Sequence, residues 1–154
     1  MKHLCMKALV AIAKLGVASA RQIILLSGTK NDTELNSILS ELQNEKYIEL
    51  SHENDFRITQ FGFEWLKFMN ISGDSSLNNE VVDAALAIAR YQFSSEYSSI
   101  TIDTIQDELG AHRGYIEDAV KLLTTLEIFI RVNDAYYERY KIDARANQML
   151  NYLG

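Results

Sequence analysis

The stretch SARQIILLSGTKNDTELNSILSELQNEKYIEL, residues 19–50, predicts two helices joined by a glycine turn and followed by a strand. Ser19 and Gln22 have the spacing of a capping box, so we expect a helix to begin there and to stop at Gly28. The helix after the turn carries one apolar stripe at helical spacing, formed by Leu35, Ile38, Leu39 and Leu42.

A small β-hairpin should follow these helices, because the period changes to short β-like runs in Tyr47–Leu50 and Phe56–Ile58, with a polar turn between them. Thr59 should cap a fourth helix that turns Phe63, Leu66 and Trp65 inward. A helix should also precede residue 19, with an inward stripe of Leu4, Ala8, Leu9, Ile12 and Leu15 and an end at Gly16.

The second half of the chain repeats this order, beginning at TIDTIQDELGAHRGYIEDAVKLLTTLEIFIRV, residues 101–132. Gly110 lies nine residues after Thr101, just as Gly28 lies nine residues after Ser19. We therefore predict a duplication, with module one at residues 1–70, a linker at 71–79 and module two at 80–154. Module two should contain a first helix striped by Val81, Val82, Ala85, Leu86, Ala89 and Phe93, a third helix striped by Ile116, Ala119, Val120 and Leu123, a hairpin of Ile128–Val132 and Tyr136–Ile142, and a last helix capped by Asp143 that holds Met149, Leu150 and Leu153.

This order of helix, helix, turn, helix, hairpin and helix resembles the winged-helix superfamily of helix-turn-helix modules, twice over. The resemblance implies a mainly α fold with small β-hairpins (α+β), built as tandem winged-helix domains. It also implies that the third helix of each module could enter the major groove of DNA while the hairpin, or wing, contacts the backbone. The pattern is specific for the fold and weak for the function, because such modules serve many ends.

Module one offers few groups for such contacts. The resemblance places Lys30, Asn31 and Asn36 at its third helix and Arg57 on its wing. Acidic residues share these elements, namely Asp32, Glu34, Glu41 and Glu45 on the helix and Glu53 and Asp55 at the wing tip. Residues 1–70 hold eight basic and eight acidic side chains, which leaves no positive surplus.

Module two is locally better supplied. The third helix carries His112, Arg113, Tyr115 and Lys121, and the wing carries Arg131, Arg139 and Lys141 among the tyrosines Tyr136, Tyr137 and Tyr140. Cations and aromatic rings together suit phosphates and groove edges. Glu117 and Asp118 on the same helix oppose this interpretation, and the cations could also be ordinary solvated surface.

Catalytic and metal-binding patterns are not found in the sequence. The histidines His3, His52 and His112 are far apart, and Cys5 has no base near it in sequence and suits a small buried core position. We therefore predict no enzyme activity, no catalytic residues, no metal and no cofactor. No apolar run has the length of a membrane span or the form of a leader, which favours a cytoplasmic protein that does not enter a membrane.

Two functions remain open. The first is a regulator of transcription, or a replication or partition factor, that binds double-stranded DNA; it could act as a homodimer through Met6–Leu15, Val81–Phe93 or Gln148–Leu153. The second is a protein-protein scaffold that does not bind DNA, similar to the condensin-associated segregation protein or to ESCRT-II subunits. The net charge of −6 and the acidic surface of module one fit a protein partner better. A third hypothesis divides the two functions, so that module two binds DNA and module one binds a protein partner.

Overall fold

A computed structural model describes residues 3–69, 77–133 and 138–153 of the chain. The chain is mainly α-helical with small antiparallel sheets, as the sequence predicts. It divides into two compact units, unit 1 at residues 1–78 and unit 2 at residues 79–154. Most of the predicted linker and the predicted wing residues Tyr136 and Tyr137 lie outside the described residues.

Unit 1 follows the predicted order of elements. Its helices are α1 (His3–Leu15), α2 (Ala20–Ser27), α3 (Asp32–Asn44) and α4 (Gln60–Phe68), and its strands are β1 (Val17–Ala18), β2 (Ile48–Leu50) and β3 (Phe56–Ile58). The Ser19 capping box is present at the start of α2, and Gly28 ends that helix with a φ of 74°. The sequence did not indicate β1, a two-residue strand that pairs with β3 and gives a sheet of order β1-β3-β2.

Unit 2 has the same order with a different ending. Its helices are α5 (Asn79–Ser94), α6 (Ile102–Leu109), α7 (Arg113–Thr125) and α8 (Asn147–Leu153), and its hairpin is β4 (Phe129–Asn133) and β5 (Glu138–Ile142). An isolated bridge between Ile100 and Tyr140 takes the place of the β1–β3 pairing. Asp143 caps a 3-10 turn, Ala144–Ala146, that leads into α8.

The two units end their third helices in the same way. Lys46 and Glu127, which follow α3 and α7, both adopt a left-handed φ, of 63° and 61°. The next residue then donates its backbone N–H to a carbonyl five residues earlier, Tyr47 to Leu42 and Ile128 to Leu123, each at 2.9 Å. These bonds satisfy helix-end carbonyls and turn the chain into the hairpin.

The cores are formed by the predicted stripes of the first and third helices. Leu35, Ile38, Leu39 and Leu42 are buried in unit 1, and so are Ile116, Ala119, Val120 and Leu123 in unit 2. Cys5 is fully buried, as expected for a small core residue. Two predicted core residues are wrong: Phe63 is 47% exposed and Phe93 is 39% exposed.

Each of these errors has a local cause. Gly62 and Leu66 are the buried residues of α4, and Gly62 lies against Ile58 of the hairpin, so Phe63 faces away from the core. On α5 the buried positions are Val82, Ala85, Ile88, Ala89 and Gln92, which leaves Phe93 outside. Gln92 occupies the place that Leu15 has on α1, and its amide donates to the carbonyl of Tyr97 at 2.9 Å, which secures the longer connection to α6.

Candidate nucleic-acid interface

The outward face of α3 carries uncharged hydrogen-bonding side chains. The buried stripe of this helix leaves the opposite side to residues spaced four, three and four apart, which we call the α3 outward stripe: Thr33, Ser37, Ser40 and Asn44. All four are exposed, as is Asn36 beside them. Within residues 3–69, no hydrogen bond or ion pair occupies the side chains of the stripe. Their donors and acceptors therefore face solvent.

Acidic residues on the third helix oppose DNA binding in the sequence analysis, but two of them lie away from this stripe in the structure. Glu34 and Glu41 are half-buried at the side of the helix, and Glu41 accepts a hydrogen bond from the Cys5 thiol at 3.3 Å. Asp32 is exposed in the first turn. The middle of the outward face is consequently free of carboxylates.

Asn31 and Lys30 lie at the start of α3. Asn31 is the N-cap, and its side-chain oxygen accepts the backbone N–H of Glu34 at 2.8 Å, so the amide already has a structural role. Lys30 is exposed immediately before the cap. Lys46 is exposed at the other end of the helix. These two lysines thus bracket the α3 outward stripe along the chain.

The corresponding face of α7 is chemically different. The positions that match the stripe are Gly114, Asp118, Lys121 and Thr125, and Glu117 matches Asn36. Glu117, Asp118 and Lys121 are exposed. Two carboxylates therefore lie where a groove-binding helix would meet the bases, and they repel phosphate.

Arg113, one of the DNA-binding candidates from the sequence, is held by acidic neighbours. Its Nη1 lies 2.6 Å from Asp103 Oδ1 and its Nε lies 3.1 Å from Glu117 Oε1, while Nη1 also donates to Gln106 at 3.1 Å. The hydrogen bond to Asp103, followed by that to Glu117, raises the pKa of the guanidinium above its ordinary value. Arg113 therefore connects the first turns of α6 and α7.

His112 and Tyr115 also have local partners. His112 is the N-cap of α7, and its Nδ1 accepts the backbone N–H of Gly114 at 3.1 Å. Its ring stands edge-on to that of Tyr115 with centroids 5.7 Å apart. Tyr115 is hydrogen-bonded to Glu80, which raises the pKa of the phenol. Both side chains stabilise unit 2 at this corner.

The arginines of the hairpins form ion pairs across their strands. Arg57 Nε lies 2.7 Å from Glu49 Oε1, and these residues are register partners in β2 and β3. In unit 2, Arg131 is paired with Glu138. Both pairs are about half exposed, and such pairs contribute only about 0–1 kcal/mol, so they can open for a stronger anion.

The remaining wing residues belong to β5. Lys141 is exposed, Arg139 is half-buried and has a partner, and Tyr140 is buried at 7% exposure. Burial, followed by its hydrogen bond to Glu138, raises the pKa of Tyr140. The ring of Tyr140 stacks on Phe129 with centroids 6.4 Å apart, so this tyrosine packs the hairpin rather than facing a ligand.

Thr33, Ser40 and Asn44 were not identified as candidates from the sequence. They could have been predicted from helical spacing, because Thr33, Ser40 and Asn44 lie four before, three after and seven after Ser37 and so share its side of the third helix.

Metal-binding and membrane-spanning features were searched in the same residues. Across residues 3–69, 77–133 and 138–153, no group of three or more His, Cys, Asp or Glu side chains is arranged to hold a metal ion. The helices of those ranges are too short or too polar to cross a bilayer.

No protein-family model matches the chain. No curated protein matches it either. A solved structure, that of the DIP2311 protein from Corynebacterium diphtheriae, is similar over 90% of the chain at 16% identity and a TM-score of 0.34. The chain spans 25% of the length of that protein. A likeness this low assigns neither a fold family nor a function.

Proposed function

We propose that the protein is a non-enzymatic, double-stranded-DNA-binding protein made of two winged-helix modules, and that α3 of unit 1 is the helix that reads the major groove. The observation that carries the proposal is the α3 outward stripe, where Thr33, Ser37, Ser40 and Asn44 present free donors and acceptors with no carboxylate among them. An asparagine amide can form two hydrogen bonds with adenine, one to N6 and one to N7, and hydroxyl groups can form hydrogen bonds with several bases.

The distribution of charge supports unit 1 over unit 2 as the DNA-binding unit. Unit 1 holds eight basic and nine acidic residues, a net charge of −1, whereas unit 2 holds seven and twelve, a net charge of −5. A surface near neutrality repels DNA far less than one with five surplus carboxylates. This division of roles is the reverse of the divided alternative from the sequence, in which module two binds DNA and module one holds a partner.

The remaining groups of unit 1 take supporting roles in this proposal. Lys30 and Lys46 would contact phosphates at the two ends of α3, and Arg57 would leave Glu49 to contact the backbone beside the hairpin. Phosphate contacts position the protein on the duplex, whereas the α3 outward stripe and Asn36 would select the sequence. A regulator of transcription, or a replication or partition factor, needs this combination. The lone buried cysteine suits the reducing cytoplasm as the place of action.

Fluorescence anisotropy with random-sequence duplex DNA, at about 50 to 200 mM salt, tests the proposal, since phosphate contacts weaken steeply over that range. Ser37→Asp places in α3 the carboxylate that α7 carries at Asp118, and we expect it to weaken binding at low salt at least tenfold. Asp118→Ser is the reciprocal control and should change the affinity less than twofold. No binding by the unchanged protein, or equal losses in the two variants, would contradict the proposal.

A second function, a protein-protein scaffold, is favoured by one specific observation. Unit 2 exposes Asp103, Asp107, Glu117 and Asp118 on α6 and α7, and its Arg113 is already paired within the unit. Such a face fits a basic segment of another protein. If anisotropy finds no DNA binding, a basic peptide partner for unit 2 becomes the better interpretation, and Asp118→Ser should then weaken that complex.

A further inference from the structure

The helix α4 turns most of its aromatic side chains away from the core of unit 1. Of its nine residues, Gly62 and Leu66 are buried, whereas Phe61 is 53% exposed and Phe68 is 85% exposed. Helices of monomeric proteins normally direct their large apolar residues inward. An exposed row of this kind marks an interaction surface.

Phe61 and Phe68 are exposed, Trp65 between them is half-buried, and the exposed Met69 directly follows the helix. We call this row the α4 aromatic stripe: Phe61, Trp65, Phe68 and Met69. Positions 61, 65 and 68 are spaced four and three apart and so fall on one side of the helix. Spacing of this type also aligns apolar residues along the seam between two packed helices. Phe63 lies on the other flank, where the Lys67 ammonium is 5.7 Å from its ring centroid.

Tyr47, which follows α3, holds the stripe in place before anything binds. Its ring stacks on Phe61 with centroids 5.3 Å apart and planes 5° apart, and it meets Trp65 at 5.3 Å and 51°. Two rings of the stripe are thereby fixed in orientation. Binding a partner therefore costs less side-chain entropy than it would for free rings.

We propose that the α4 aromatic stripe pairs with the same stripe on a second copy of the chain, in an antiparallel arrangement about a twofold axis. The first reason is charge. Glu64 and Lys67 are the two charged side chains of α4, and their charges cancel. Strongly basic or strongly acidic partners find no surplus of opposite charge on this helix.

The second reason is area. With about 200 Å² for each large side chain, the exposed fractions of the stripe together with Tyr47 amount to roughly 400 Å² of apolar surface. Since about 60% of an interface is apolar, each copy would bury roughly 700 Å². Both copies together would bury about 1,400 Å², which lies within the usual range for a stable pair of proteins.

Analytical ultracentrifugation of the full chain without DNA, from about 1 to 200 µM, tests this pairing separately from the proposed DNA binding. We expect a reversible dimer, accompanied by a blue shift of the emission of Trp65, the sole tryptophan of the sequence. Phe61→Ser and Phe68→Ser should each raise the dimer dissociation constant at least tenfold. Phe63→Ser is the matched control, because it changes the same residue type on the same helix at similar exposure, and it should change the constant less than threefold.

Each outcome decides the proposal. A chain that is monomeric at 200 µM would overturn it, and so would a dimer that persists in Phe61→Ser and Phe68→Ser or that is lost equally in Phe63→Ser. Far-UV circular dichroism must show unchanged helix content in the three variants. All three substitutions are at exposed positions, so the fold of unit 1 should tolerate them.

Discussion

Among the glycines of unit 1 within residues 3–69, Gly62 should be the one that least tolerates a side chain. A Cβ placed there would overlap the backbone carbonyl oxygen of Tyr47 and would lie 2.9 Å from Ile58 Cγ1. The carbonyl cannot easily move, because it accepts the Thr59 N–H at 3.0 Å and the Thr59 hydroxyl donates to the preceding carbonyl, that of Lys46, at 2.6 Å. In unit 2 the third residue after the cap is Ala146, and there the chain forms a 3-10 turn before its last helix.

The size of the effect follows from two opposing terms. Replacing a helical glycine by alanine gains about 1 kcal/mol of helix propensity. Forcing an atom into a filled space costs about 1–3 kcal/mol, and contact with fixed backbone puts Gly62→Ala at the upper end. The net loss is therefore about 2 kcal/mol. For a unit of 78 residues this lowers Tm by roughly 8–16 °C.

Thermal unfolding followed by tryptophan fluorescence measures this loss in the correct unit, because Trp65 lies one turn from Gly62. Gly114→Ala is the control: its Cβ would meet a side-chain atom, His112 Nδ1, at 3.2 Å, which can give way. By circular dichroism that variant should be neutral or slightly more stable. A Tm for Gly62→Ala within 2 °C of the unchanged protein would refute the reasoning.

Four further substitutions test helix ends. Lys46→Gly and Glu127→Gly should each stabilise by about 1 kcal/mol in urea unfolding, because glycine adopts the left-handed φ without strain; no gain in either would count against it. Ser19→Ala should cost about 1 kcal/mol by the same assay, and a loss under 0.3 kcal/mol would show the cap to be dispensable. The Arg145 hydrogen bond lowers the pKa of Asp143, so its stabilisation is present above about pH 4 and is lost as pH falls through the folded-state pKa. Asp143→Asn should therefore flatten the acid limb of the stability curve, and an unchanged limb would contradict this.

Much of the fold could be predicted because local signals and burial agree. The capping box at Ser19 and the glycine at Gly28 indicate the two ends of α2, the stripe that ends at Leu42 indicates α3, and the structure has both helices. The two-residue strand β1 escaped prediction because its pairing partner is distant in sequence, and no local pattern records such a pairing.

The site was harder to predict than the fold. The sequence alone does not show which polar residues of the third helix face solvent. Glu41 is half-buried beside Cys5, whereas its neighbour Ser40 is exposed. Likewise, the sequence shows Arg113 only as a cation, whereas in the structure it is paired with two carboxylates, those of Asp103 and Glu117. Ion pairing between elements that are ten residues apart is a property of packing, and spacing alone does not show it.

The third helices α3 and α7 keep their core positions and their solvent-facing positions separate. Leu35, Ile38 and Leu42 hold α3 in unit 1, whereas Ser37 and Ser40 make no contribution to the core. Substitutions at such exposed positions usually change the folding free energy by less than about 0.5 kcal/mol. Mutations at these positions can therefore change the solvent-facing chemistry of each helix without opposition from selection for a folded chain, so that two units with the same order of elements can present different surfaces.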